Sequence, residues 1–436
     1  MLAMDMGTGK SRVTIELLQR WKSEKTLIVC PKSVVPVWPG EFKKHTKAGR
    51  FSVLAPSGTV ASRVKQIREF MTNEKAPKVV VVNYDVIWMK PMVDLFRSIL
   101  FDAMILDESH RAKSAGSKTS RTCFMLGKRA AHRLCLSGTP MANSPLDVYG
   151  QYRFLDQSIF GTRYSDFLFQ YAVLAGPDRK FIVGVKNRED LGTKFNSIAY
   201  QCKKSDMKDQ LKLHDEPEIT MRMDSMSGAA KKAYMDLSRD FVAEWKDGYI
   251  TAGTAVTKLL RLQQITSGFT VIENDFGDHT IVDIDNTKRN MLRELNEDLP
   301  PDEPIVVFYR FKKDAESIKE TLGNTRPTFE LSAKAYEIDE WKESDNGVLA
   351  VQYQAGSVGI DLTHSCYGVY YSGTLSLYEY SQSQARLYRP GQTKPVTFIH
   401  LLIDASVDTR IFQSLESKQD VVTDVLRNGL VWQNDT

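Results

Sequence analysis

The stretch Met4-Asp-Met-Gly-Thr-Gly-Lys-Ser11, within the first dozen residues, constrains the fold more than any other part of the chain. Gly7 and Gly9 lack a Cβ, so the backbone around Thr8 can curl until successive N–H groups point at an anion. Lys10 then offers a point charge to terminal phosphates, and the Ser11 hydroxyl suits Mg²⁺. From Ser11 to Trp21 the apolar residues recur at helical spacing, which puts the loop on a helix N-terminus, where the dipole favours phosphate. Met4 stands where the full G-x-x-x-x-G-K-[ST] pattern has its first glycine. The loop alone therefore leaves a plain glycine turn open, and a second element has to decide.

That element lies downstream, in an alternation of strands and helices. Thr26–Cys30 is a continuous apolar run halted by Pro31, and Phe51–Leu54 is a short strand. Ala61–Asn73 has helical spacing, and Val79–Tyr84 is the clearest strand of the chain. Such alternation predicts a doubly wound α/β domain with its ligands at the carboxyl edge of the sheet. Ala103–Leu106 delivers Asp107-Glu-Ser-His110 to that edge. A carboxylate there can hold Mg²⁺ opposite the loop, assigned to Asp107, while its neighbour Glu108 orients and deprotonates a water. Leu134–Pro140 ends in Ser137, Gly138 and Thr139, small groups suited to sensing a nearby carboxylate or phosphate.

The second half repeats the pattern. Ile305–Tyr309, Val348–Tyr353 and Gly368–Ser372 read as strands around a helix at Lys312–Leu322, giving a second α/β sheet. Ala355–Thr363, with Gly359 and Asp361, is a glycine-rich turn after a strand, fit for a phosphate or simply a tight turn. Gln382, Arg386 and Arg389 stand at i, i+4 and i+7, which places them on one face of a helix. Two guanidinium forks there can neutralise charge on a γ-phosphate.

In this order the motifs resemble the Swi/Snf-type branch of the superfamily 2 helicases, related to the DEAD/DEAH-box enzymes, in a compact phage or mobile-element-like form. Gly7–Ser11, Cys30–Phe42, Val82–Asp85, Asp107–Lys113 and Ser137–Asn143 correspond to motifs I to III. Val306–Phe311, Gly356–Thr363 and Gln382–Gln392 correspond to motifs IV to VI. The resemblance implies two RecA-like parallel-sheet lobes with a helical insertion between them. The first lobe spans 1–150 and receives a returning strand near 216–223. A helical protrusion covers 151–215 and a helical linker or second protrusion 224–285. The second lobe spans 286–426, with a tail at 427–436. It further implies ATP and Mg²⁺ as cofactors, hydrolysis on closure of a cleft, and translocation on double-stranded DNA. Alternatives are a strand-separating DNA or RNA helicase, or a nucleic-acid-binding scaffold that no longer hydrolyses ATP. Lys32, Ser33, Asn83 and Tyr84 match positions that face the nucleic-acid backbone in relatives.

The residues themselves add a basic segment. Between Ser109 and Pro145 there is no Asp or Glu, while Arg111, Lys113, Lys118, Arg121, Lys128, Arg129 and Arg133 recur. This segment either follows a phosphate backbone without reading sequence or is a solvated charged surface. A net charge of +4 means that any nucleic acid is held by a local patch rather than by a basic chain. Five scattered cysteines without metal-ligand spacing suggest reduced thiols and no structural zinc. No run is long enough for a membrane span, so a cytoplasmic or nucleoid-associated motor is expected, or a host-cytoplasmic one if phage-encoded. Met1 falls inside the strand that precedes the loop, and the adenine-contacting glutamine motif of relatives is missing. The chain thus reads as truncated, with weak discrimination among nucleoside triphosphates or an incomplete first sheet. It leaves no length for targeting appendages, so recruitment falls to a partner protein.

Overall fold

The computed structural model describes residues 1–73, 76–176, 181–246, 252–273, 279–355 and 360–428. Contacts divide the chain into two units, Met1–Leu211 together with the segment from Lys418, and Lys212–Ser417.

In the first unit the strands are β1 (Leu2–Met4), β2 (Lys25–Cys30), β3 (Ser52–Leu54), β4 (Lys78–Asn83), β5 (Ala103–Asp107), β6 (His132–Ser137), the hairpin β7 (Ala172–Ala175) and β8 (Phe181–Val185), and β9 (Tyr200–Cys202). All but the hairpin form one parallel sheet in the order β3-β4-β2-β5-β6-β1-β9. Val and Ile runs are what a parallel sheet covered on both faces requires. Side chains divide with period two: Leu27, Val29, Val80, Val82, Met104 and Leu106 enter one core. Ile28, Cys30, Val79, Val81, Ala103 and Ile105 enter the other. Each fully buried aliphatic chain of this kind contributes about 1.5–3 kcal/mol.

The insertion after β6 packs through aromatic side chains. Phe154, Phe160 and Phe167 are buried, and the Phe160 and Phe167 rings meet edge-on with centroids 5.4 Å apart. Phe169 in the same segment is 76% exposed, with the Lys186 ammonium 5.3 Å from its ring centre. The β7–β8 hairpin and β9 were not legible in a segment read as helical.

The second unit contains β10 (Glu218–Asp224), the hairpin β11 (Phe269–Glu273) and β12 (His279–Asp283), β13 (Ile305–Tyr309), β14 (Thr328–Leu331), β15 (Val348–Gln352), β16 (Tyr367–Tyr370) and β17 (Thr397–Ile403). Its parallel sheet runs β10-β17-β16-β13-β15-β14. The returning strand expected near 216–223 is therefore corrected. It is β10, and it pairs along its whole length with β17 of the second sheet, from Glu218 opposite Thr397 to Asp224 opposite Ile403. Local alternation identifies a strand, but its partner is fixed by a segment about 180 residues away. Sheet and contacts together extend the second unit well before residue 286.

Beneath the strand ends of this sheet lies a buried ion pair, Lys288 Nζ to Asp408 Oδ2 at 2.7 Å. Thr266 Oγ1 donates to the other Asp408 oxygen at 2.9 Å, and Gln263 Nε2 donates to the Gly373 carbonyl at 3.0 Å. These polar contacts pin helix Ala252–Thr266 to the sheet. All five cysteines are free and buried. Among the described residues no helix is long and apolar enough to cross a membrane.

Candidate nucleotide site

The phosphate loop joins β1 to helix Lys10–Arg20. Gly7 and Gly9 take φ of 83° and 92°, the left-handed conformation glycine adopts without penalty. A Cβ on Gly9 would meet nothing within 4 Å, so the requirement there is conformational rather than steric. Thr8 donates its hydroxyl to the Asp5 carbonyl at 2.7 Å. The Lys10 ammonium turns back into the loop, donating to the carbonyls of Met4 at 2.8 Å and Asp5 at 3.1 Å. Ser11 follows in the first helical turn, half-buried. The base of the loop is held from afar. Asp5 N–H donates to the Cys202 carbonyl at 2.9 Å, and Asp5 Oδ2 accepts the Lys204 N–H at 2.9 Å.

At the end of β5 the Asp107 carboxylate accepts Trp38 Nε1–H at 3.1 Å and Glu108 N–H at 3.0 Å. It keeps some open surface but sits deep among protein atoms. Burial pushes its pKa up, the adjacent Glu108 carboxylate adds to the rise, and Lys10, Trp38 and the Glu108 N–H oppose it, leaving a value of about 7. Such a carboxyl is one that a cation would complete. Glu108 sits at φ 50°, a left-handed turn that costs a non-glycine residue about 1–2 kcal/mol and turns its side chain off the strand. Glu108 Oε2 lies 3.4 Å from His110 Nδ1, and the same nitrogen lies 3.4 Å from Ser137 Oγ.

Ser137, Gly138 and Thr139 come up against the phosphate loop. A Cβ on Gly138 would lie 3.4 Å from the Met6 side chain and 3.5 Å from the Met4 carbonyl. Ser137 Oγ accepts Thr139 N–H at 3.1 Å. The Thr139 hydroxyl is buried without a hydrogen-bond partner among the described residues, an acceptor and donor left over beside the loop. The loop conformation, the displaceable lysine, the metal-ready carboxylate and this hydroxyl fit a magnesium-bound nucleoside triphosphate.

The nucleic-acid candidates divide. Lys32 and Arg111 are exposed and Ser33 half-buried. Asn83, by contrast, is buried, its amide accepting from Arg63 at 2.8 Å and donating to Asp85 at 3.0 Å. Tyr84 donates its hydroxyl to the Asp107 carbonyl at 2.8 Å, and Lys113 pairs with Asp147 at 2.9 Å. These three side chains hold the site's frame. Sequence reasoning missed two such framing residues, Trp38 as a partner of Asp107 and Gln151, whose amide accepts from Ser109 at 2.6 Å and donates to the Pro140 carbonyl at 2.6 Å. The only signal for Gln151 was a polar residue inside an apolar helical stripe.

In the second unit, helix Leu377–Leu387 is capped by the Ser376 hydroxyl, which accepts from Glu379 N–H at 3.3 Å. The helix ends before Arg389, so the expected single helical face holds only Gln382 and Arg386. Pro390 disfavours helix at the preceding residue, and Gly391 at φ 103° completes the turn. Arg386 and Arg389 nonetheless converge on the Ile360 carbonyl, at 3.5 and 3.3 Å, and Arg386 also donates to Gln382 Oε1 at 3.1 Å. Asp361 resists desolvation, its charge favoured by the Thr363 N–H and hydroxyl and by Arg389, so its pKa lies below the usual range. Gly359 lies outside the described residues.

Two consecutive parallel-sheet units, the first with a phosphate loop and an acidic strand end, are the RecA-like pair of a superfamily 2 core. The chain belongs to the SNF2-related family, whose domain model matches residues 1–268. It is 24% identical to a Caenorhabditis elegans homologue of the SWI/SNF-related regulator of chromatin subfamily A-like protein 1, over 98% of this chain and 59% of that protein. It is 24% identical to protein p41 of Acyrthosiphon pisum secondary endosymbiont phage 1, over 97% of this chain and 94% of that one. A third relative, DNA repair and recombination protein RDH54 of Saccharomyces cerevisiae, is 21% identical over 95% of this chain and 50% of its own. Among solved structures, the Sulfolobus solfataricus SWI2/SNF2 ATPase core in complex with double-stranded DNA aligns over 99% of this chain and 89% of that chain. Its TM-score is 0.42, at 21% identity.

Proposed function

We propose that this chain is an ATP-driven motor that moves along double-stranded DNA and remodels DNA or its protein complexes. The observation that carries the reading is the convergence, in one unit, of phosphate loop, Asp107–Glu108 and the Ser137–Thr139 turn. Mg·ATP, when bound, would supply the transferable phosphoryl group and the metal's charge. Lys10 would exchange loop carbonyls for phosphate oxygens, and Ser11 and Asp107 would hold the metal. Glu108 takes the proton of the attacking water, steadied by His110. Arg386 and Arg389 are assigned to the charge that develops on the γ-phosphate, with Gln382 fixing Arg386 and Asp361 fixing the turn they hold.

Duplex DNA as the track is supported by the exposed Lys32 and Arg111, and by relatives named for chromatin regulation and DNA repair. Salt-dependent, sequence-independent affinity is expected. We place the motor in the cytoplasm or nucleoid, with a recruiting protein as its partner. The test is ATP turnover without nucleic acid and with single-stranded DNA, duplex DNA or RNA, using Lys10→Ala as the blank. Greatest stimulation by duplex supports the translocase. Stimulation mainly by single strands would replace it with a strand-separating helicase, and turnover no higher than the blank would leave only the scaffold.

A further inference from the structure

One turn of the helix Val148–Leu155 is built to join two loops of the nucleotide site. Gln151 has no exposed surface. Its Oε1 accepts the Ser109 hydroxyl at 2.6 Å, and its Nε2 donates to the carbonyls of Pro140 at 2.6 Å and Asp147 at 3.0 Å. Ser109 follows Glu108 directly, and Pro140 follows Thr139. The amide thus bridges the acidic turn and the turn beside the phosphate loop. Packing needs no amide here, since a leucine would fill similar space with less polar surface to desolvate.

Two neighbours on the same helical face repeat the connection. Asp147 Oδ2 takes the Lys113 ammonium at 2.9 Å and the Asn143 N–H at 2.8 Å, one partner from each loop. Gly150 lets the helix backbone close on the first loop, where a Cβ would lie 2.3 Å from the Lys113 carbonyl oxygen and 2.5 Å from that of Ala112. Residues 147, 150 and 151 stand at i, i+3 and i+4, so they share one face.

We infer that Gln151 is a positioning residue that makes the 109–113 and 137–143 loops move as one body when the nucleotide site fills. This inference rests on the proposed nucleotide site. Nucleotide held by the phosphate loop reaches Glu108, the helix face passes the shift to Pro140 and Asn143, and the response is read at the backbone amides of 138–143.

The test is hydrogen exchange of the full chain across residues 138–143, with and without Mg²⁺ and the β,γ-imido analogue of ATP. Comparison is made among the unsubstituted chain, Gln151→Leu and Ser109→Ala. The unsubstituted chain is expected to gain protection there on binding. Gln151→Leu is expected to bind the analogue within about twofold of the same affinity while losing most of that gain, and its duplex-stimulated kcat falls about tenfold with KM for ATP unmoved. Ser109→Ala cuts the same bridge with little change in volume, and serves if Gln151→Leu does not fold. Unaltered binding together with an unaltered protection gain overturns the inference alone. Failure of the unsubstituted chain to bind the analogue overturns the nucleotide reading and the inference with it.

Discussion

Replacing Trp38 by Phe isolates one hydrogen bond of the nucleotide site. The phenyl ring keeps much of the buried volume, while the Nε1–H that meets Asp107 Oδ2 at 3.1 Å is lost. A hydrogen bond to a charged group contributes about 1.5–3 kcal/mol, and one pKa unit corresponds to about 1.4 kcal/mol. The Asp107 pKa, about 7 with Trp38 present, is therefore expected to rise by about one unit or somewhat more. With Asp107 as the proposed Mg²⁺ ligand, protons and the metal would compete for this carboxylate. In the unsubstituted chain, Mg²⁺-dependent nucleotide affinity is expected to be level at high pH and to fall by about tenfold per unit below about 7. In the variant the break moves upward by that same unit. At neutral pH the ionised fraction drops from about one half to about one tenth, an affinity loss of about fivefold. Calorimetric titration of the metal and a non-hydrolysable nucleotide across the pH range measures it. A second readout has a fixed sign. Because the folded pKa is raised from 3.8 to about 7, the metal-free fold binds its proton more tightly than the unfolded chain does. The stability from this carboxyl is complete below 3.8 and is lost as pH rises through about 7. In Trp38→Phe the loss continues about one unit further. Superimposable pH profiles of the two proteins, in both assays, would refute the reasoning.

Three other substitutions probe the frame. Gly150→Ala drives a methyl into the Lys113 and Ala112 carbonyls, and a loss of about 1–3 kcal/mol is expected in urea unfolding. Lys288→Met strands the Asp408 carboxylate, whose side chain is only 3% exposed. Melting curves are expected to show a loss of about 3–5 kcal/mol, part of it recovered by adding Asp408→Leu. His400 is held neutral by burial, its pKa lowered from 6.5 to about 3. Stability due to the neutral ring is complete above 6.5 and is lost as pH falls through about 3, so His400→Phe is expected to flatten the acid limb of stability against pH.

The turn and strands that frame the candidate site were legible because local physics specifies them. Gly7 and Gly9 announce a left-handed turn, and Val79–Val82 can only be a doubly covered strand. Asp107 is placed by the four apolar residues before it. What could not be read depends on partners distant in sequence. β10 shows alternation but not that β17 is its neighbour. β9 is three residues long, too short for a periodicity signal. Asn83, Tyr84 and Lys113 are of residue types that could equally face phosphate or protein, and only their contacts with Arg63, Asp107 and Asp147 decide. Arg389 lies two residues beyond the end of helix Leu377–Leu387, because Pro390 disfavours helix at the residue before it.

The strand that leads into the phosphate loop has neighbours on both sides, β6 and β9. During synthesis β1 leaves the ribosome before either neighbour, and its outer partner is made nearly two hundred residues later. At about 5–20 residues per second, that interval is about 10–40 s. Through it the Asp5 amide lacks the Cys202 carbonyl and the edge of β1 stays open to any other strand, including that of a neighbouring nascent chain. Shielding this edge in the nascent chain is therefore expected to raise the yield of folded protein.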